Sequence, residues 1–138
     1  MEKEFGLPAW VVDTNVYEVN TRQYTVEGDF SAFLAHLPRL SDMGVEVLWF
    51  MPITPISFKN RKGSLGSYYA CSSYLQINPE FGTLDDFKKI VSSAHQLGMK
   101  VMIDFHYSDS WADPGKQYKP KAWEQHSFTQ LLSDVFDH

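Results

Sequence analysis

The chain has 138 residues, enough for one domain with a real core. Its 43% apolar and 21% charged residues are ordinary for a soluble globular protein, and a net charge of -5 argues against nucleic acid or an acidic membrane as partner. No apolar run approaches membrane-spanning length and no export signal opens the chain, so a soluble protein is expected, with cytoplasmic and mature secreted forms equally compatible.

Taken in order, residues 15–20 form the first apolar, β-branched run and predict a strand. Phe30, Phe33, Leu34, Leu37 and Leu40 then fall at helical spacing, with Asp29 or Ser31 as cap and Asp42-Met43-Gly44 as the close. Residues 45–52 and 100–106 are nearly continuous apolar runs, the pattern of strands buried on both faces of a parallel sheet. Between them Phe87, Ile90, Val91, Ala94 and Leu97 mark a helix capped by Thr83 with Asp86 and closed at Gly98. A last helical pattern covers residues 127–136, through Phe128, Leu131, Leu132 and Val135.

Strand and helix alternate, which predicts right-handed βαβ units. The connections after strands are long, over 52–82 and 107–126, whereas the returns to strands are tight. That asymmetry suits a barrel enzyme, whose site is built at the C-terminal ends of its strands. A doubly wound sheet has the same order, but no Gly-rich phosphate turn follows the first strand. The expected fold is therefore α/β, a partial (β/α)8 TIM barrel of about three βα units with parallel strands. Open sheet edges in such a piece make self-association a further expectation. Cys71 is the single cysteine, so no intrachain disulfide forms, and it reads as a packed residue rather than a nucleophile. Aromatic residues are in surplus at 15%, able to fill a core or to offer flat platforms to sugar rings.

Particular segments carry a family resemblance. The run Val16-Tyr17-Glu18-Val19-Asn20-Thr21-Arg22, the strand Gly44-Val45-Glu46-Val47-Leu48-Trp49-Phe50-Met51-Pro52, the loop Gly66-Ser67-Tyr68-Tyr69 and the stretch Asn78-Pro79-Glu80-Phe81-Gly82-Thr83 resemble the front of the α-amylase family of glycoside hydrolases. That resemblance extends over about residues 10–104, through His95-Gln96-Leu97-Gly98 into Val101-Met102-Ile103-Asp104. An amylase-type third strand would continue to Asn and His, where Ser108 and Asp109 stand instead. From about residue 98 to 136, carried by Phe105-His106-Tyr107-Ser108-Asp109-Ser110-Trp111 and Lys119-Pro120, the chain looks like the arabinogalactan endo-β-1,4-galactanases, which are also (β/α)8 barrels. One partial-barrel domain over 1–138 is expected, amylase-like over 1–100 and galactanase-like over 101–138, as a chimera or fragment.

Glycoside hydrolysis needs two carboxyl groups flanking the scissile bond. In both families these stand on or after the fourth strand, so the resemblance assigns no catalytic residue to any position here. Asp104 and Asp109 are the best local pair, with Glu18 and Glu46 in strands, but acids without set geometry are not a mechanism. The resemblance implies substrate-binding roles for Tyr68, Asp104, His106, Asp109 and Trp111, with packing of loops as the competing role for Tyr68, Asp104 and Trp111. The implied partner is an oligosaccharide or polysaccharide, α-glucan or β-galactan. No cofactor is expected. No metal is expected either: Asp109 and Asp113 are oxygen donors, but Ser108 replaces the amylase calcium asparagine, and His36, His95, His126 and His138 lack ligand spacing.

Overall fold

The computed structural model describes residues 8–105. After a single 3-10 turn at Ala9–Val11, three strands, β1 (Val16–Val19), β2 (Val47–Phe50) and β3 (Lys100–Ile103), form one parallel sheet in the order β1-β2-β3. Val19 pairs with Phe50, which pairs in turn with Ile103. Each strand is shorter than its apolar run. At the start, Asn15 replaces ladder bonds with side-chain bonds: its amide donates to the Gly44 carbonyl at 2.8 Å and accepts from the Glu46 N–H at 3.1 Å. At the far end single bonds continue the ladder, from Met51 N–H to Val19 O at 3.0 Å and from Asp104 N–H to Phe50 O at 2.7 Å.

The helix expected through Phe30 to Leu40 is broken in two, α2 (Phe30–Leu34) and α3 (Leu37–Asp42). Pro38 explains the break: it has no N–H, and its ring would clash with the carbonyl of Leu34, four residues back. Asp29 is the cap, its carboxylate accepting from Ala32 N–H at 2.8 Å. A short turn, α1 (Thr21–Tyr24), was not legible in the apolar pattern. The helix α4 (Leu84–Gln96) has the expected reciprocal cap, in which Thr83 accepts from Asp86 N–H at 3.2 Å and Asp86 accepts from Thr83 N–H at 3.0 Å.

Both returns to a strand use the same closure. Gly98 (φ +79°) donates to His95 O and Met99 to Ala94 O, each at 2.9 Å. Gly44 (φ +84°) donates to Ser41 O at 2.9 Å and Val45 to Leu40 O at 3.1 Å. These are paired Schellman closures, and the left-handed φ they need is what glycine supplies.

The helices lie against one face of the sheet. Val19, Leu48 and Phe50 meet Phe30, Phe33, Leu37, Leu40, Phe87 and Ile90 there. Phe50 is the centre of an edge-to-face aromatic cluster, 5.2 Å from Phe33 and 5.3 Å from Phe87 between ring centroids. The opposite face carries the rows Val16, Val47, Lys100 and Glu18, Trp49, Met102. Val16 is 51% and Met102 43% exposed, whereas Val47 between them is buried, so among the described residues this second face is open only along the two outer strands. The predicted helix over 127–136 lies outside the described residues.

Removing the Thr83 hydroxyl unsatisfies one end of α4. Thr83→Ala is expected to destabilise the fold by about 1 kcal/mol, read as a lower urea midpoint at unchanged slope.

Candidate functional site

The ends of the strands are roofed by the connection over residues 52–82. Pro52 follows two residues after the end of β2, and the chain then doubles back on itself. Ile56 and Cys71 form an antiparallel bridge, Ser57 N–H donates to Ala70 O at 2.7 Å, and Ser72 N–H donates to Pro55 O at 2.9 Å. The outgoing limb returns to the barrel wall where Asn78 N–H donates to Ile53 O at 2.7 Å. Phe81 O then accepts from Phe30 N–H at 2.9 Å, which ties the loop to the start of α2.

Under this roof Pro52, Thr54, Tyr68, Tyr69, Cys71, Tyr74, Asp104 and Phe105 line a shallow cleft with room for about 10 Å³. Small-molecule pockets enclose about 300–1,000 Å³, so the described residues do not form a closed ligand pocket. Its polar centre is Asp104, one residue past β3. The Tyr69 hydroxyl donates to the Asp104 carboxylate (Oδ2) at 3.0 Å. That hydrogen bond pushes the Tyr69 phenol above its ordinary range, helped by partial burial and by the charges of Asp104 and Glu18.

Tyr68 is placed differently. Its hydroxyl donates to Asn20 Oδ1 at 2.9 Å, the Arg22 guanidinium lies 4.7 Å from its ring centroid, and its ring tilts against Phe81 at 6.4 Å. Arg22 is itself paired with Glu80 at 2.6 Å. Tyr68 therefore joins the loop after β1 to the loop after β2 while lining the cleft. Tyr69 keeps 37% of its surface exposed.

Of the residues singled out from the sequence, Tyr68 and Asp104 are brought to one cleft. His106, Asp109 and Trp111 lie outside the described residues, as do Ser108 and Asp113. Tyr69 and Tyr74 line the cleft without having been singled out, Tyr74 with its ring 5.2 Å from Phe105. Tyr68 and Tyr69 are the middle residues of a turn closed by Ala70 N–H to Ser67 O at 3.0 Å, and both reach the cleft. Cys71 donates its thiol to Ser73 O at 3.0 Å, and burial pushes the thiol up, against a nucleophilic role. Among the described residues no group of three His, Cys, Asp or Glu side chains is placed to hold a metal ion.

Comparison with known proteins fits this geometry. The Glycosyl hydrolase family 53 model matches residues 73–138, taking in α4 and β3. An α-1,4-glucan:maltose-1-phosphate maltosyltransferase of Burkholderia pseudomallei is 37% identical over 92 residues, which are 56% of this chain and 8% of that protein. An arabinogalactan endo-β-1,4-galactanase of Cellvibrio japonicus is 44% identical over 60 residues, 43% of this chain and 16% of the other. The crystal structure of an α-amylase from Lactobacillus plantarum superposes with a TM-score of 0.63 at 51% identity, over 64% of this chain and 21% of that one. The resemblance is to glycoside hydrolases, and it is mixed. The three parallel strands with their helices are thus part of a (β/α) barrel. The chain spans between 8% and 18% of the length of the curated relatives it matches.

Asp104→Asn removes the charge that holds the Tyr69 proton. The Tyr69 titration midpoint is expected to fall back towards about 10, the ordinary phenol value, followed by ring-carbon NMR. Because the folded phenol is raised, its contribution to stability is present below about pH 10 and is lost as pH rises through the folded midpoint, and the Asn variant lacks that loss.

Proposed function

We propose that the cleft is one wall of the sugar groove of a glycoside hydrolase barrel acting on α-glucan. The hydrogen bond from Tyr69 to Asp104 at the mouth of β3 carries this reading. It holds a half-open aromatic ring beside a carboxylate oxygen, a flat apolar surface with a polar acceptor at its rim. A pyranose offers the complement, an apolar C–H face and a rim of hydroxyls. Tyr69 is the platform, Asp104 accepts from a ring hydroxyl, and Tyr68 forms the wall that Arg22 and Asn20 hold in place. His106, Asp109 and Trp111 extend the same groove in this reading, in a single domain over 1–138 whose amylase-like part is 1–100 and galactanase-like part 101–138.

The α-glucan assignment rests on the amylase and maltosyltransferase relatives. β-Galactan is the alternative, favoured by the match over residues 73–138. Bond cleavage belongs to carboxylates beyond those described: Glu18 is an exposed strand residue, and Asp104 is already engaged by Tyr69. Titration of maltotriose and galactobiose against tryptophan fluorescence tests binding. Maltotriose is expected to shift the emission, and Tyr69→Ala to weaken it about tenfold, some 1.4 kcal/mol. A flat response to both sugars would sink the reading, and a response to galactobiose alone would reassign the sugar. Reducing-sugar release from starch and from galactan tests cleavage, and silence on both sinks the hydrolase reading for this chain.

The exposed Val16 and Met102, on the outer strands β1 and β3, support a second reading, in which copies of the chain associate through these strands. Light scattering should then report a mass above that of one chain, rising with concentration. A clean folded monomer counts against it.

A further inference from the structure

At the tip of the roofing loop Phe58 is 83% exposed. A single exposed apolar side chain is ordinary on a protein surface. What distinguishes Phe58 is that its ring is held. The Arg61 guanidinium lies 4.0 Å from the ring centroid, covering one face. Arg61 is fixed in turn by three loop carbonyls: Nε donates to Ser57 O at 3.1 Å, Nη2 to Ile56 O at 3.0 Å and Nη1 to Ser64 O at 3.2 Å. The space for this fork exists because residue 66 is glycine. A Cβ there would stand 2.9 Å from Arg61 Nε and 2.8 Å from Ile56 Cγ2, at a φ of +68° that disfavours any side chain. Asn60, at φ +57°, closes the turn between ring and guanidinium, and Arg61 N–H donates to Phe58 O at 3.3 Å.

The loop therefore fixes a flat aromatic surface with one face backed by a cation and the other open to water. A surface held this way loses little side-chain freedom when a ligand stacks on it. Exposed Lys62 and Ser64 bring donors to the same tip, suited to hydroxyl oxygens. The tip carries Lys59, Arg61 and Lys62, with the Arg61 guanidinium taken up by the loop carbonyls, so charge does not select the ligand. The open ring face with donors beside it suits a pyranose, with its apolar C–H face and rim of hydroxyls. We infer that Phe58 is a second stacking platform, outside the cleft, for a further part of the glycan chain that Tyr69 and Asp104 engage. This rests on the sugar-groove reading above. A long glycan that reaches both platforms gains by avidity, whereas a short one gains nothing from Phe58.

The test uses the full chain and Phe58→Ala, a change at an exposed site that leaves the core intact, with Tyr69→Ala beside it. Migration in native gels containing amylopectin or galactan reads long-chain binding, and maltotriose titration reads the cleft. Phe58→Ala is expected to weaken retardation by the polysaccharide about fivefold or more while leaving maltotriose affinity within about twofold. Tyr69→Ala should weaken both. Arg61→Lys, which keeps the charge but loses the fork, should fall between wild type and Phe58→Ala. Wild-type retardation in Phe58→Ala, with maltotriose binding intact, overturns the inference and leaves the cleft reading standing. No retardation and no maltotriose response in the wild type overturns both. A loss of mass in light scattering on Phe58→Ala, without change in retardation, makes Phe58 a contact between copies and overturns the glycan assignment.

Discussion

Phe50 couples the core to the site. Its ring is the hub on which α2 and α4 meet the sheet, with Phe33 and Phe87 edge-on at 5.2 and 5.3 Å. Its carbonyl accepts the Asp104 N–H at 2.7 Å, and two residues later Pro52 starts the loop that roofs the cleft. The position of the Asp104 carboxylate is thus an outcome of core packing: Phe50 sets where β3 ends, and the end of β3 sets where Tyr69 finds its acceptor. Interiors packed to crystal-like density transmit small displacements. A core change at Phe50 acts on the groove without touching it.

Electrostatics then divides two adjacent tyrosines. Tyr68 meets a cation, Arg22, which Glu80 neutralises, and a neutral amide, Asn20. The Tyr69 hydroxyl donates to Asp104 and feels the charges of Asp104 and Glu18, and its phenol holds its proton more tightly as a result. The first is a strut between loops and the second a donor locked to a carboxylate. Residue type alone does not separate these roles.

What was legible followed the periodicities. The strand-helix alternation, the strands at residues 47–50 and 100–103, the Thr83 and Asp86 cap and the glycine closures at 44 and 98 all stand in the structure. Burial on both faces, however, holds for 47–50 and not for 100–103, where Val101 is buried and Met102 is 43% exposed. The break between α2 and α3 was present in the sequence as Pro38, but the apolar stripe runs through it: Leu37 and Leu40 stay buried on either side of the proline's constraint. The turn α1 was hidden because one turn buries too few residues to show a period. Tyr69 was hidden for a different reason, since its role is defined by a partner 35 positions away.

The two identical glycine closures have a consequence for how such a chain is assembled. In each, the helix ends, reverses and delivers the next strand in a phase set by backbone bonds local to the turn, from Gly98 and Met99 at one and Gly44 and Val45 at the other. Little of that phase depends on which side chains follow. The return is a standard joint, and a strand supplied from a different barrel enters the sheet with its inward and outward residues correctly sorted. The family 53 match over residues 73–138 carries one such joint inside it, so a stretch that brings its own helix, glycine closure and strand can pass between barrels without a slip in register.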